Sequence, residues 1–289
     1  MKQQYIATVS GVHGIICETN DECGEIHMNA EHAAIPFLKA DVKSASIRYR
    51  ALDTVRGLAL LNMIAYYGIW DLVYLYGMDW EWYTSLGGYL WQQGICWSFI
   101  LLSGFCYAFG RKKAKRGLCI LACGILISAG TGLLMPESRV QFGILTFLGS
   151  CMLLLIPLKK LLMKIPSGAG FLTSLVLFVL FRNVNQGFLG FEAFNWIQMP
   201  GQWYKNLFTA YLGFPAEGFF STDYFSLLPW MFLFLAGFFL CRILKEKQLL
   251  GTLKAEYVPA LGGLGRHSLL IYLLHQPILY VIFQSFFQT

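Results

Sequence analysis

Residues 111–134 read RKKAKRGLCILACGILISAGTGLL: five cations within six positions, then eighteen residues without a charge. The uncharged run approaches the ~20 residues that a helix needs to cross ~30 Å of hydrocarbon. The cations at its start mark the end that stays in the cytosol. Working outward, further apolar runs lie at 57–76, 87–109, 142–157, 167–182, 226–244 and 268–288. Lipid cannot satisfy exposed backbone groups, so each run is expected to be a helix. The expected fold class is therefore all-α integral membrane, a bundle of about seven spans. The fourth and fifth runs are the shortest.

Charge placement orients the bundle. Lys39, Lys43, Arg48, Arg50 and Arg56 precede the first run, and Lys159, Lys160 and Lys164 follow the fourth. Arg242, Lys245, Lys247, Lys254 and Arg266 lie between the sixth and seventh. With Arg111–Arg116 these make 18 of the 22 Lys and Arg residues, all on alternate connections. Arg139, Arg182 and Lys205 are the cations on the opposite side. This alternation puts the N-terminus in the cytosol and the C-terminus outside.

Composition agrees. Hydrophobic residues make up 56 % of the 289 and charged ones 13 %, against roughly 25 % charged in soluble domains. The net charge of +6 does not point to nucleic acid, because the cations sit in short runs between spans. Six of the eight cysteines lie in apolar stretches and read as small buried hydrophobes. Residues 1–46 are polar and read as a flexible or weakly folded cytosolic extension. They lack a cleavable signal, so the first span is expected to serve as the insertion signal. His13, Cys17, Cys23 and His27 are zinc-binding types at a spacing that matches no common zinc pattern; no metal is expected. The connection 183–225 carries Trp196, Trp203, Tyr204 and Tyr211, either as an interfacial aromatic anchor or as a platform for a sugar-like acceptor. Gly124, Ser128 and Gly132 form a small-residue stripe suited to close helix packing.

Ionisable residues within spans are functional candidates. Asp53 and Arg56 can meet on one helix face, as a structural ion pair or with Arg56 receiving a phosphate. Asp71 lies about fourteen residues into the first span, roughly 20 Å along it, and needs a partner or a wet cavity. His275 lies roughly 10 Å into the last span, two residues before Pro277, which leaves the Leu273 carbonyl without its helical donor. Gln276 shares that level. His275 suits a general base, or it bonds the freed carbonyl. Arg266 follows Gly262, Gly263 and Gly265, either a glycine-rich anion site at a helix start or an interfacial cap. Asp223 and Tyr224, ahead of Trp230, are a helix cap or, with Asp71, an acceptor site.

In chain order, the motifs Arg50-Ala-Leu-Asp-Thr-Val-Arg-Gly57 with Trp70-Asp71-Leu72, Leu102-Ser-Gly104 with Lys115-Arg-Gly117, and Gln141-Phe-Gly-Ile-Leu145 with Phe147-Leu-Gly149 resemble the bacterial form of the heparan-α-glucosaminide N-acetyltransferase catalytic domain. So do Asp223-Tyr-Phe225 with Leu228-Pro-Trp230, and Gly265-Arg-His-Ser268 with His275-Gln-Pro277. The resemblance covers about 47–288. It implies a plasma-membrane enzyme that takes an acyl group, most simply acetyl, from acetyl-CoA in the cytosol. The group passes to an amine or hydroxyl of an amino-sugar, glycan or lipid-linked acceptor outside. On this basis the catalytic set is His275, Asp71 and Tyr67; the CoA-binding set is Arg56, Arg266 and Asp53; and the acceptor set is Asp223, Tyr224, Trp230 and Gln276. Tyr67 and Thr146 stand where the family pattern has histidines. Two rival functions remain, a transporter or flippase of an envelope precursor and a non-catalytic partner in an envelope-modification complex. Oligomeric state is open.

Overall fold

The structure, a computed structural model, describes residues 49–110, 112–255 and 257–287. The N-terminal extension, the His13–Cys17–Cys23–His27 group and Arg111 lie outside the described residues. The helices are α1 (Arg50–Tyr74), the single turn α2 (Glu81–Thr84), α3 (Leu86–Tyr107), α4 (Lys113–Leu134), α5 (Ile144–Leu162) and α6 (Ser167–Phe181). A hairpin of β1 (Phe188–Phe191) and β2 (Phe194–Gln198) follows, then α7 (Leu207–Leu212), α8 (Leu227–Glu246), α9 (Pro259–Arg266) and α10 (Ser268–Phe287).

Among the described residues, five helices are long and apolar enough to cross a membrane: α4, α5, α6 with its 3-10 extension to Gln186, α8 and α10. The chain is thus a mostly helical, multi-pass membrane protein. The first two expected spans are the long helices α1 and α3, which are less apolar. Several boundaries move, and the first helix starts at Arg50, seven residues before its apolar run. The fifth run gains a 3-10 turn, Val184–Gln186. The fourth continues through Pro157 to Leu162; proline falls late in the helix, and Lys159 and Lys160 complement the exposed carbonyls of the last turn.

The helices pack in pairs: α1 with α9, α3 with α8, α4 with α5, and α6 with α8. Reciprocal glycines close two of these. A β-carbon at Gly104 of α3 would fall 1.9 Å from the Phe234 carbonyl oxygen, and one at Gly237 of α8 would fall 2.0 Å from that of Leu101. Gly57 of α1 meets Leu261 of α9 in the same way, and Gly265 meets Asp53. The glycines before Arg266 therefore lie inside a helix, where Gly262 and Gly265 are buried in the α1 contact. On α4 only part of the expected stripe packs. Gly124 abuts Thr146 of α5, Gly132 has nothing within 4 Å, and the reciprocal contact is Gly149 of α5 against Leu121.

The core is aromatic and aliphatic, with Phe147, Phe234, Phe239, Ile100 and Leu155 fully buried. By contrast α10 has no buried residue and leans on Gly68 of α1 and on Tyr76 just beyond the end of α1. Among the described residues the hairpin is the one β element, and Asn183 organises it. That side chain is buried and donates to the carbonyls of Glu192 and Phe194 and to Asn195 Oδ1. Arg182 pairs with Glu192 at 3.0 Å and donates to Gln93 Oε1 at 3.0 Å, tying the hairpin to α3. Phe194, Trp196 and Ile197 remain exposed on β2.

Candidate active site

A cavity of about 370 Å³ opens where α3 hands over to α4. Lys112 takes a left-handed backbone, φ 50° and ψ 45°, at this junction, which is uncommon for a residue with a β-carbon. The turn places Lys112, Lys113, Lys115 and Arg116 around the cavity, joined by Arg56 from α1. Beyond this rim the lining is mostly apolar, with Phe99 and Leu102 of α3, Ile120 of α4, Leu148 and Met152 of α5 and Tyr272 of α10, and it includes Ser103 and Ser268. Along α3 the cavity runs from Tyr107 to Phe99, eight residues or about 12 Å of helix. A wider opening of about 530 Å³ shares Tyr107, Gly110, Lys112, Lys113 and Lys115 with it and adds Lys159.

The rim cations are held in different ways. Arg56 Nη1 donates to Asp53 Oδ1 at 2.6 Å, and Nη2 donates to Cys106 Sγ at 2.9 Å. The Asp53–Arg56 pair therefore forms, and it aims the guanidinium along the cavity wall. Lys113 Nζ sits 4.0 Å above the Tyr107 ring, a cation–π contact. Arg266 is exposed at the end of α9 and is not part of the cavity lining.

A second cluster of polar groups lies further along α10. His275 Nδ1 is 2.6 Å from the carbonyl oxygen of Tyr272, not that of Leu273. A carbonyl only accepts, so Nδ1 carries the proton and Nε2 carries the lone pair. The imidazole faces the Tyr67 ring, centroids 5.2 Å apart. Gln276 Nε2 donates to Asp71 Oδ1 at 2.8 Å. Asp71 is 0 % exposed, and both its Oδ2 and Gln276 Oε1 are buried without a partner. Such paired orphan acceptors are unusual in folded proteins and mark a place for a proton or a small polar guest.

Asp223 caps a helix, but α5 rather than α8: its Oδ2 accepts from the backbone N–H of Ile144 at 3.1 Å. Burial pushes the Asp223 carboxyl up to about 6, against the opposing effect of the Ile144 backbone donor. A carboxyl whose folded pKa lies above its unfolded value stabilises the fold fully below about pH 4, and the contribution is lost as pH rises through about 6. The unfolding midpoint of the wild type is expected to fall across that window relative to Asp223→Asn, as read by thermal melting in detergent. Parallel curves would contradict this.

Tyr224 donates through its hydroxyl to the Ala210 carbonyl of α7. Trp230 is buried between Phe178 and Phe225, with the Arg182 guanidinium 4.9 Å above its ring. The structure thus brings Arg56 to the cavity, joins Asp71 to Gln276 and Tyr67 to His275, and keeps Arg266, Tyr224 and Trp230 apart from them. Cys106, Lys112, Lys113, Lys115, Arg116 and Tyr272 line the cavity and were not singled out as site residues from sequence. The cations carried a visible signal, read there as topology alone.

A sequence model of the family described as "Heparan-alpha-glucosaminide N-acetyltransferase, catalytic" matches residues 48–277. No curated protein and no solved structure matches the chain.

Proposed function

The chain belongs to the heparan-α-glucosaminide N-acetyltransferase catalytic family, and from that premise we propose that it is a plasma-membrane acyltransferase with a two-sided site. The family generally uses acetyl-CoA as donor. In this reading the bundle has seven spans with the N-terminus cytosolic, and residues 47–289 form the acyltransferase domain. The donor enters from the cytosol and the acceptor, an amino-sugar, glycan or lipid-linked amine or hydroxyl, from outside.

One observation supports the donor assignment above the rest: a basic rim opening onto an apolar slot about 12 Å deep. CoA has the matching shape, with phosphates at one end and a slender pantetheine arm at the other. Lys112, Lys113, Lys115, Arg116 and Arg56 would hold the phosphates, and the adjoining opening beside Lys159 has room for the nucleotide. The arm would lie between α3 and α5, which brings the thioester towards Tyr272. His275 would take a proton from the acceptor through Nε2. Asp71 and Gln276, with their free acceptor atoms, would orient the acceptor or pass on its proton, and Tyr67 would pack against the imidazole.

The test is transfer of label from acetyl-labelled acetyl-CoA in membranes that contain the protein, against membranes that lack it. The reading expects protein-dependent label in an acceptor together with released CoA. Movement of a substrate across the membrane without thioester cleavage would favour a transporter and overturn the enzyme.

A further inference from the structure

The base of this reading stands on a helix that packing holds loosely. α10 has no buried residue, and Leu270, Leu274, Ile278 and Val281 are exposed along it. Its apolar contact with α1 sets Leu279 and Phe283 over Gly68, each 3.8 Å from where a β-carbon would be. Lipid tails are as apolar as these side chains, so contacts of this kind do not fix which residues of two helices meet. Pro277 loosens α10 further, because it leaves the Leu273 carbonyl without its backbone donor in the turn that carries His275. The bond between His275 Nδ1 and the Tyr272 carbonyl lies within α10. It orients the ring and not the helix.

The contact between Gln276 and Asp71 crosses the seam and has a direction. Gln276 Nε2 donates to Asp71 Oδ1 at 2.8 Å, and Asp71 is fully buried. Asp71 Oδ2 and Gln276 Oε1 are buried without a partner, so neither side chain has a second bond to fall back on. Tyr67 lies one turn before Asp71 on α1, and His275 directly precedes Gln276. The bond therefore ties the neighbour of His275 to a residue one turn from Tyr67, the ring that the imidazole faces at 5.2 Å. A slip of α10 by one residue turns its side chains by about 100°. That keeps apolar contact with α1 but breaks the bond and takes the imidazole off Tyr67.

We propose that Asp71 is a positioning residue: through Gln276 it sets the register of α10 on α1 and so fixes where the His275 imidazole stands. The inference rests on the acyltransferase reading, and it narrows the part of Asp71 in that reading to placing the base. The carboxylate is needed as an acceptor for one N–H group. Any side chain that supplies the same acceptor at the same place should serve, and so should a pair in which donor and acceptor change sides.

The experiment uses full-length protein in its membranes, acetyl-labelled acetyl-CoA and added glucosamine as the probe acceptor. Asp71→Ala is expected to lower kcat about 100-fold, the effect of misplacing a catalytic group by about 1 Å, with KM for acetyl-CoA unchanged. Asp71→Asn keeps an oxygen for Gln276 Nε2 and is expected to transfer at least about tenfold faster than Asp71→Ala. Gln276→Glu sets two carboxylates against each other and is expected to be as slow as Asp71→Ala. Adding Asp71→Asn to Gln276→Glu restores one N–H···O bond, now donated from α1, and is expected to recover at least about tenfold over Gln276→Glu alone. Melting midpoints of the same proteins in detergent should show the same recovery. Asp71→Asn as slow as Asp71→Ala overturns the proposal, because the carboxylate itself would then be needed. A combined variant no better than Gln276→Glu in transfer and in melting also overturns it, and so does a raised KM with unchanged kcat. Absence of transfer by the wild type overturns the acyltransferase reading, and the melting series then decides the register of α10 by itself.

Discussion

Replacing His275 by alanine is expected to lower acyl transfer by about 10²- to 10⁴-fold, the usual contribution of a positioned general base. The affinity for CoA is expected to stay within about a factor of two, since the change removes no donor contact. The geometry behind this is the Tyr272 carbonyl, 2.6 Å from Nδ1. That contact fixes the tautomer and leaves Nε2 as the free base. The loss should appear in kcat, not in KM. His275→Gln keeps one hydrogen-bond donor but cannot titrate, so it should be as slow as alanine. Equal label transfer by wild type and His275→Ala would remove the imidazole from the chemistry.

The second large effect is structural. Gly104→Val is expected to abolish the folded state, because its β-carbon would sit 1.9 Å from the Phe234 carbonyl oxygen. Neither backbone can yield without separating α3 from α8, which also carry the buried cluster around Ile100, Phe234 and Phe238. Overpacking a tight contact costs about 1–3 kcal/mol, and a branched side chain driven into a backbone carbonyl places this case at or beyond the top of that range. Gly130 of α4 is the control. Nothing lies within 4 Å of a β-carbon there, so Gly130→Ala should be neutral or gain up to about 1 kcal/mol of helix propensity. Monodisperse elution and the melting midpoint in detergent distinguish the two. A well-folded Gly104→Val protein would mean that the α3–α8 pair is looser than the structure has it.

Much of the bundle is legible one residue at a time. Apolar runs between basic clusters locate the long helices, and Asp53 three residues before Arg56 is a contact that local helix geometry dictates. What sequence reading misses is non-local. Gly262, Gly263 and Gly265 look like a loop because glycine weakens an isolated helix. In the fold they belong to α9, and the close approach of Gly265 to Asp53 of α1, matched by Gly57 of α1 against Leu261, compensates that weakness. Asp223 precedes α8 in the chain and so reads as its cap, yet it caps α5, about eighty residues away in sequence. The β1–β2 hairpin is hidden because its pairing depends on Asn183 and Arg182 reaching back from the end of α6. The cations at 112–116 carry two messages, topology and cavity rim, and the first masks the second. Tyr272 is one aromatic among many in an apolar run; only the fold sets it on the cavity wall with its ring beside His275.

The measurement closest to the central claim is CoA binding to the purified protein. The account predicts that free CoA raises the melting midpoint of the wild type, and that neutralising the rim with Lys112→Gln, Lys115→Gln and Arg116→Gln removes most of that shift without lowering the midpoint of the unliganded protein. Arg56 is left in place so that the buried Asp53 keeps its partner. No shift with wild type at millimolar CoA, or a shift that survives loss of the rim charges, would contradict the assignment of this cavity to the donor.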